Sequence, residues 1–278
     1  MRPSSWTKVT RLGEGQHNPL TQPFLSIVIP AYNEEIRIAQ TLDTIVEYAG
    51  SQGYSWEVVV VDDGSQDKTA SMIESASETH SEIRLVRLNH GGKGLAVREG
   101  MLSARGKYRF LADADLSMPI SHLERFLPST LIDADIAIGS REASGARRFD
   151  EPFKRHLMGR AFNIAVRLIA VKGFTDTQCG FKCFTAKAAE TLFPLQRSRG
   201  FGFDVEILFL AQQLEMHIKE VPIDWYYHEG SKVRLLRDSF LMLKDLLSIR
   251  WNSIKGKYGK LILKATESEP PANTDTDD

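Results

Sequence analysis

Asp113-Ala-Asp115, two carboxylates two residues apart just beyond the apolar run Tyr108-Arg109-Phe110-Leu111-Ala112, is the pattern in this chain best suited to chemistry. A buried strand ending in closely spaced carboxylates gathers negative charge where a cation makes it tolerable, and hard divalent ions take such oxygen ligands. The pair therefore points to a metal site for a phosphate-bearing substrate. Aspartates also populate ordinary turns after strands, so the pair gains its meaning from neighbours. Three more polar clusters follow apolar runs: Tyr32-Asn33-Glu34, Asp62-Asp63-Gly64-Ser65 and His90-Gly91-Gly92-Lys93-Gly94. The last, at a helix start, offers free backbone N–H groups and a cation to a phosphate.

The elements that must position these clusters alternate along the chain. Short β-branched or apolar runs predict strands over 25–30, 56–61, 83–88, 108–112 and 136–138. Apolar residues at helical spacing predict helices over 34–48, 67–77 and 95–104. Such an alternation implies a mostly parallel sheet covered on both faces, with ligands beyond the carboxyl ends of its strands. All four clusters then face one rim. No Gly-x-Gly-x-x-Gly follows the first strand, which argues against a nicotinamide enzyme.

With 278 residues, 42% hydrophobic and 26% charged, the chain can build one large domain or two small ones. A net charge of -1 argues against a surface made to hold nucleic acid. Cys179 and Cys183 are too few for a disulfide framework or a structural zinc site and are expected as reduced packing residues. Residues 1–23 lack an apolar core run and read as a flexible leader, and 265–278 as a disordered tail. No run of about 20 apolar residues predicts a conventional spanning helix.

Three stretches resemble family 2 glycosyltransferases of the GT-A fold: 27–35 (Ile-Val-Ile-Pro-Ala-Tyr-Asn-Glu-Glu), 59–69 (Val-Val-Val-Asp-Asp-Gly-Ser-Gln-Asp-Lys-Thr) and Asp113-Ala-Asp115. Later stretches are similar to the polyprenyl-phosphate sugar synthases of that family: Asp176-Thr-Gln-Cys-Gly-Phe-Lys182, Phe203-Asp-Val-Glu206, and 218–225 followed by Glu229-Gly-Ser-Lys232. The resemblance covers roughly Phe24 to Trp251. It implies a GT-A nucleotide-diphospho-sugar transferase domain over 24–235, a Rossmann-like, mostly parallel α/β sheet with helices on both faces. Pro30, Tyr32, Glu34 and Asp62 would line the nucleoside pocket, with Lys93 and Gly94 near the nucleotide and Asp113 and Asp115 holding Mg²⁺ or Mn²⁺. Ser140, Arg141, Asp176, Lys182, His228, Ser231 and Lys232 would surround the acceptor or its phosphate, with Asp115, Arg141 and Lys232 catalytic. Ser117 stands where many mannosyl-transferring relatives carry Gln, a departure that leans towards glucosyl-type members.

The implied reaction is inverting transfer of a hexose, glucose from UDP-glucose, to a polyprenyl or dolichyl phosphate. Alternatives are GDP-mannose or another donor, a hydroxyl acceptor, or a nucleotide-sugar-binding partner subunit without turnover. A phosphate monoester is largely ionised near neutral pH, so this acceptor needs no strong base. A hydroxyl acceptor would need one, and Asp204 or Glu206 are the candidates. Asp176, Asp204 and Glu206 otherwise bind sugar hydroxyls, orient basic residues or form structural ion pairs.

A lipid acceptor implies a peripheral site on the cytoplasmic face of a membrane. Residues 153–174 and 239–264 (the latter within a C-terminal segment over 236–264) are basic and amphipathic, Trp251 and Tyr258 among the lysines of the second suiting a headgroup layer. Helices packed on the domain with solvated basic faces would show the same pattern.

Overall fold

Apolar runs bounded by polar clusters fold here as buried strands whose ends meet on one rim. The computed structural model describes residues 22–128, 132–152, 159–160, 163–164, 166, 169–227 and 235–259. The leader up to residue 21, the tail, and His228, Ser231 and Lys232 lie outside the described residues.

Four strands, β1 (Leu25–Ala31), β2 (Trp56–Asp62), β3 (Ile83–Arg87) and β4 (Tyr108–Leu111), alternate with α1 (Ile38–Gly50), α2 (Thr69–Thr79) and α3 (Lys93–Ser103). They are parallel neighbours, with Pro30 opposite Val61 and Val28 opposite Leu111. A 3-10 helix (Ile120–Phe126), β5 (Ile136–Ser140) and β6 (Arg147–Phe149) follow, then β7 (Lys182–Thr185), α4 (Ala186–Leu192), α5 (Phe203–Gln213), β8 (Ile218–Pro222), β9 (Asp224–Tyr226) and α6 (Leu235–Ile254). The seven-stranded sheet runs β3-β2-β1-β4-β7-β5-β8, and β6 pairs with β9 in a second, two-stranded sheet.

Strand alternation splits the core into two layers. Ile27 and Ile29 face α1 through Ile38, Leu42 and Ile45, and Val28, Val59 and Val61 face α3 through Val97 and Met101. Each such side chain, fully buried, contributes roughly 1.5–3 kcal/mol. Polar loops delay the start of two of the expected helices. Glu34 donates its N–H to Thr69 Oγ1 at 2.6 Å and Glu35 donates to Asp67 Oδ2 at 3.2 Å, so α1 begins at Ile38 rather than at 34. Asp67 Oδ1 accepts the Thr69 N–H at 2.9 Å, which starts α2 at that residue.

The sheet departs from a purely parallel arrangement at β7, which is antiparallel to both β4 and β5. Leu111 lies opposite Lys182 in this register. The strand is only four residues long and opens on a lysine, so neither β-branching nor alternation announces it. Cys179 and Cys183 are both free and buried.

Candidate active site at the carboxyl rim of the sheet

The ends of β1 to β4 bring the four clusters together. Past β1 and β2, two loops are stitched to each other. Asn33 donates its N–H to Ser65 Oγ at 2.9 Å, and Gln66 donates to Asn33 Oδ1 at 2.8 Å, with Asn33 at φ 52. Glu34 pairs with Arg37 at 3.1 Å, and buried Asp62 accepts the Ser65 N–H at 3.2 Å. Tyr32 stacks on His90 with ring centroids 4.3 Å apart. The sequence names His90 in its cluster but gives it no partner, because stacking across two loops leaves no local signal.

The glycine loop after β3 is held differently from the sequence expectation. Asp63 accepts the N–H groups of Gly91 and Gly92 at 2.8 and 2.9 Å, and His90 Nδ1 lies 2.9 Å from its Oδ2. Those two N–H groups are therefore committed within the protein and not offered to a phosphate; Asp63 is the residue that shapes the loop. Lys93 at the start of α3 keeps its cation at the rim. Gly94 packs where a Cβ would sit 2.7 Å from the carbonyls of Ser198 and Gly200. Leu95 donates its N–H to Arg199 O at 3.2 Å, so the 196–200 loop backs this turn.

Asp113-Ala-Asp115 sits in a tight turn after β4. Leu116 donates its N–H to Asp113 O at 3.1 Å and adopts φ 41, strained for a branched residue, while Ser117 donates to Asp115 Oδ1 at 3.0 Å. Lys93 Nζ meets Asp113 Oδ1 at 2.6 Å. Burial pulls the Lys93 ammonium down, yet Asp113, Asp204 and Asp115 outweigh it and hold it above the usual lysine value.

The donor set suits a hard ion delivered with its ligand. Mg²⁺ is usually held by one or two carboxylates plus substrate phosphates rather than by an all-protein cage. Among the described residues there is no group of three or more His, Cys, Asp or Glu that could hold a metal. Two carboxylates two residues apart on the turn after β4 stand there instead, one already accepting an ammonium, and that donor set of Asp113 and Asp115 suits such an ion.

One seven-residue segment, 176–182, supports the rim from beneath. Continuing the β4–β7 register places Gly180 beside Asp113, and a Cβ there would lie 2.2 Å from Asp113 Oδ2. Asp176, fully buried, accepts from Arg141 Nε at 2.6 Å, Arg141 Nη2 at 3.0 Å and the Arg141 N–H at 3.1 Å. Burial pushes its carboxyl up, but the Arg141 guanidinium prevails and holds it at about 2. Asp176 thus engages the Nε and Nη2 of Arg141 together.

Arg141 connects to the aspartate turn through β9. Its guanidinium lies 5.5 Å from the Trp225 ring, and the next residue, Tyr226, donates its N–H to Ser117 O at 2.8 Å. Ser140 is buried: its hydroxyl meets Thr175 Oγ1 at 2.9 Å and accepts the Ala143 N–H at 3.0 Å, a turn-forming role. Lys182 is also buried, donating to Cys179 O at 2.5 Å and Asp204 Oδ1 at 2.7 Å. The structure therefore buries the Ser140, Asp176 and Lys182 side chains, while Arg141, among the described residues of that set, keeps its side chain 20% exposed.

Burial lifts both candidate bases above the usual carboxylate value, but both are already engaged within the protein. Asp204 is paired with Lys182, and Glu206 accepts the N–H groups of Arg197 and Ser198 at 2.9 and 2.6 Å and the Tyr258 hydroxyl at 2.5 Å. Tyr258 is consequently buried against Glu206, not placed for a headgroup layer as its sequence context suggests. Of the 153–174 segment, Val166, Val171 and Phe174 are buried and Ile164 is half exposed; much of the rest lies outside the described residues.

The profile of glycosyl transferase family 2 matches residues 26–192. A dolichyl-phosphate beta-glucosyltransferase of Dictyostelium discoideum is 37% identical over 253 residues, covering 86% of this chain and 77% of the relative. The Homo sapiens protein of that name is 35% identical, covering 84% and 77%. Among solved structures, a glucosyl-3-phosphoglycerate synthase of Mycobacterium tuberculosis in complex with Mn²⁺, UDP and glucosyl-3-phosphoglycerate superposes with TM-score 0.60 at 20% identity, covering 82% of this chain and 80% of that one. The two-layered α/β sheet, the aspartate turn at its carboxyl rim and these likenesses agree: the chain is a glycosyltransferase and belongs to glycosyl transferase family 2.

Proposed function

We propose that this chain transfers glucose from UDP-glucose to dolichyl phosphate or a similar polyprenyl phosphate, with inversion at the anomeric carbon. The observation that carries the reading is the identity of 35–37% to dolichyl-phosphate beta-glucosyltransferases over most of the chain. The rim chemistry supports it. Pro30, Tyr32, Glu34 and Asp62 border the nucleoside, and Lys93 faces the diphosphate. Asp113 and Asp115 hold Mg²⁺ or Mn²⁺, which when bound supplies Lewis-acid stabilisation of charge on the leaving diphosphate.

Arg141 takes the acceptor phosphate. Asp176 fixes the guanidinium plane, and a planar fork suits a phosphate better than a point charge does. The acceptor oxygen forms its bond to the anomeric carbon as the carbon–oxygen bond to the diphosphate breaks, and the electron pair leaves with UDP. No proton has to be removed, because the phosphate is already ionised. That Asp204 and Glu206 are both engaged fits an acceptor needing no base. His228, Ser231 and Lys232 belong to the same acceptor site in this reading, with Lys232 beside Arg141 on the phosphate.

The lipid places the enzyme on a membrane, the cytoplasmic face in our reading. No helix among the described residues is long and apolar enough to cross one. The exposed face of α6 supports surface contact instead: Leu243, Leu247, Trp251 and Ile254 are 38, 58, 57 and 78% exposed. At about 100° per residue they fall within roughly 80° of arc, beside Lys244, Arg250 and Lys255 and away from buried Leu246 and Ile249. The testing experiment is transfer from UDP-glucose to a short polyprenyl phosphate with Mn²⁺, with GDP-mannose in parallel. Glucosylated lipid phosphate is expected; folded protein that moves no sugar to polyprenyl phosphate overturns the reading.

A further inference from the structure

Two ion pairs flank the 179–180 backbone: Lys182 Nζ donates to Cys179 O at 2.5 Å, and the next residue, Gly180, abuts Asp113, where a Cβ would lie 2.2 Å from Oδ2. In the outer pair, Lys93 Nζ and Asp113 Oδ1 are 2.6 Å apart and the side chains are 26 and 27% exposed, so a ligand can reach both. In the inner pair, Lys182 Nζ and Asp204 Oδ1 are 2.7 Å apart with side chains only 1 and 9% exposed. Nothing from solvent displaces the inner pair. Lys182 is pinned further by Cys179 O, and Asp204 lies in the first turn of α5, where the helix end favours negative charge.

The pairs share one field. Asp204 is among the charges that stabilise the Lys93 ammonium, and Lys93 with Lys182 opposes the burial that lifts the Asp204 carboxyl. This arrangement matters when a divalent ion needs the Asp113 oxygen that Lys93 occupies. A lysine with a single counter-ion would compete with the metal for it.

We propose that Asp204, fixed in place by Lys182, is the standing counter-ion of Lys93, so that Lys93 passes from Asp113 to the donor diphosphate when a divalent ion takes Asp113. The inference rests on the proposed metal and nucleotide-sugar reading. It makes Asp204 and Lys182 positioning residues: Asp204 is not a base, and Lys182 is not an acceptor ligand.

The test measures binding on the full chain, with Mn²⁺ and UDP as probes. Removing Asp204 alone strands a buried lysine, so the pair is removed together as K182M/D204N, a neutral replacement that buried pairs commonly tolerate. In that variant Lys93 stays on Asp113, and Mn²⁺ affinity in saturating UDP is expected to fall about tenfold, the scale of one lost charge coupling. K182M alone leaves Asp204 with Lys93 as its cation, so Mn²⁺ affinity is expected to rise while UDP affinity falls. Those opposite shifts in Mn²⁺ affinity are the signature, and a structural role predicts unchanged affinities in both. K93M, at a partly exposed position, gives an independent arm: nucleotide-free Mn²⁺ binding by EPR is expected to tighten and UDP–Mn²⁺ binding to weaken. No tightening overturns the exchange, even if the paired variants do not fold. Wild-type protein that binds no UDP with Mn²⁺ would overturn the function reading itself, whereas wild-type binding with unchanged variants overturns only this inference.

Discussion

Asp176 grips Arg141 at three points, with the shortest contact from Nε at 2.6 Å, and its own side chain is wholly buried. The two residues lie 35 positions apart, on the turn before β7 and the end of β5. A carboxylate in that position does not meet substrate; it decides where a guanidinium points.

This grip sets a pH dependence. The Asp176 carboxyl sits at about 2 in the folded chain against an ordinary 3.8, so its stabilisation is complete above about pH 4 and is lost as pH falls through 2. The linked contribution is on the order of 2 kcal/mol. Thermal unfolding from pH 5 to pH 2 should show that loss in wild type and a flatter profile in Asp176→Asn. The variant itself, with Arg141 uncompensated, should be destabilised by about 3 kcal/mol in denaturant titration at pH 7.

Gly180 is a specific test of the aspartate turn. In Gly180→Ala the new Cβ meets Asp113 Oδ2 at 2.2 Å and Cγ at 2.8 Å. Asp113 is partly exposed and can swing aside, so the fold should survive while the metal ligand is misplaced. Calorimetry should find UDP affinity in Mn²⁺ reduced by about tenfold or more, the cost of roughly 1.4 kcal/mol of misplacement, with metal-free UDP binding much less affected. Equal losses with and without metal would count against Asp113 as a ligand.

Asp115→Asn removes charge without volume. Ser117 can still donate to the remaining side-chain oxygen, so the turn should persist and the unfolding midpoint should match wild type. Glucosyl transfer should drop by about 10²-fold or more, the scale of losing preorganised charge stabilisation. Full activity in this variant would remove Asp115 from the metal role.

The α6 stripe makes a prediction separable from chemistry. Leu247→Ser with Trp251→Gln touches side chains that are more than half exposed, so stability should change by less than about 0.5 kcal/mol. Sedimentation with vesicles containing anionic lipid should fall sharply, while UDP binding in solution stays the same. Unchanged vesicle binding would move the membrane contact elsewhere.

Much of this protein is legible in its sequence because the signals are local. Apolar runs such as Leu25–Ala31 are buried on both faces, so alternation of strand and helix, the shared rim and the aspartate turn follow from periodicity and from polar residues at strand ends. Tertiary structure decided what the charged residues do there. Gly91 and Gly92 could offer N–H groups to a ligand until Asp63, 28 and 29 residues away, takes both. Lys182 resembled a phosphate ligand until an antiparallel β7 turned it beneath the rim to Asp204, and Tyr258 resembled a membrane anchor until Glu206 accepted its hydroxyl. The physical reason is common to all three. A buried polar group must be paired, and its partner is set by sheet order and helix docking rather than by neighbours in the chain.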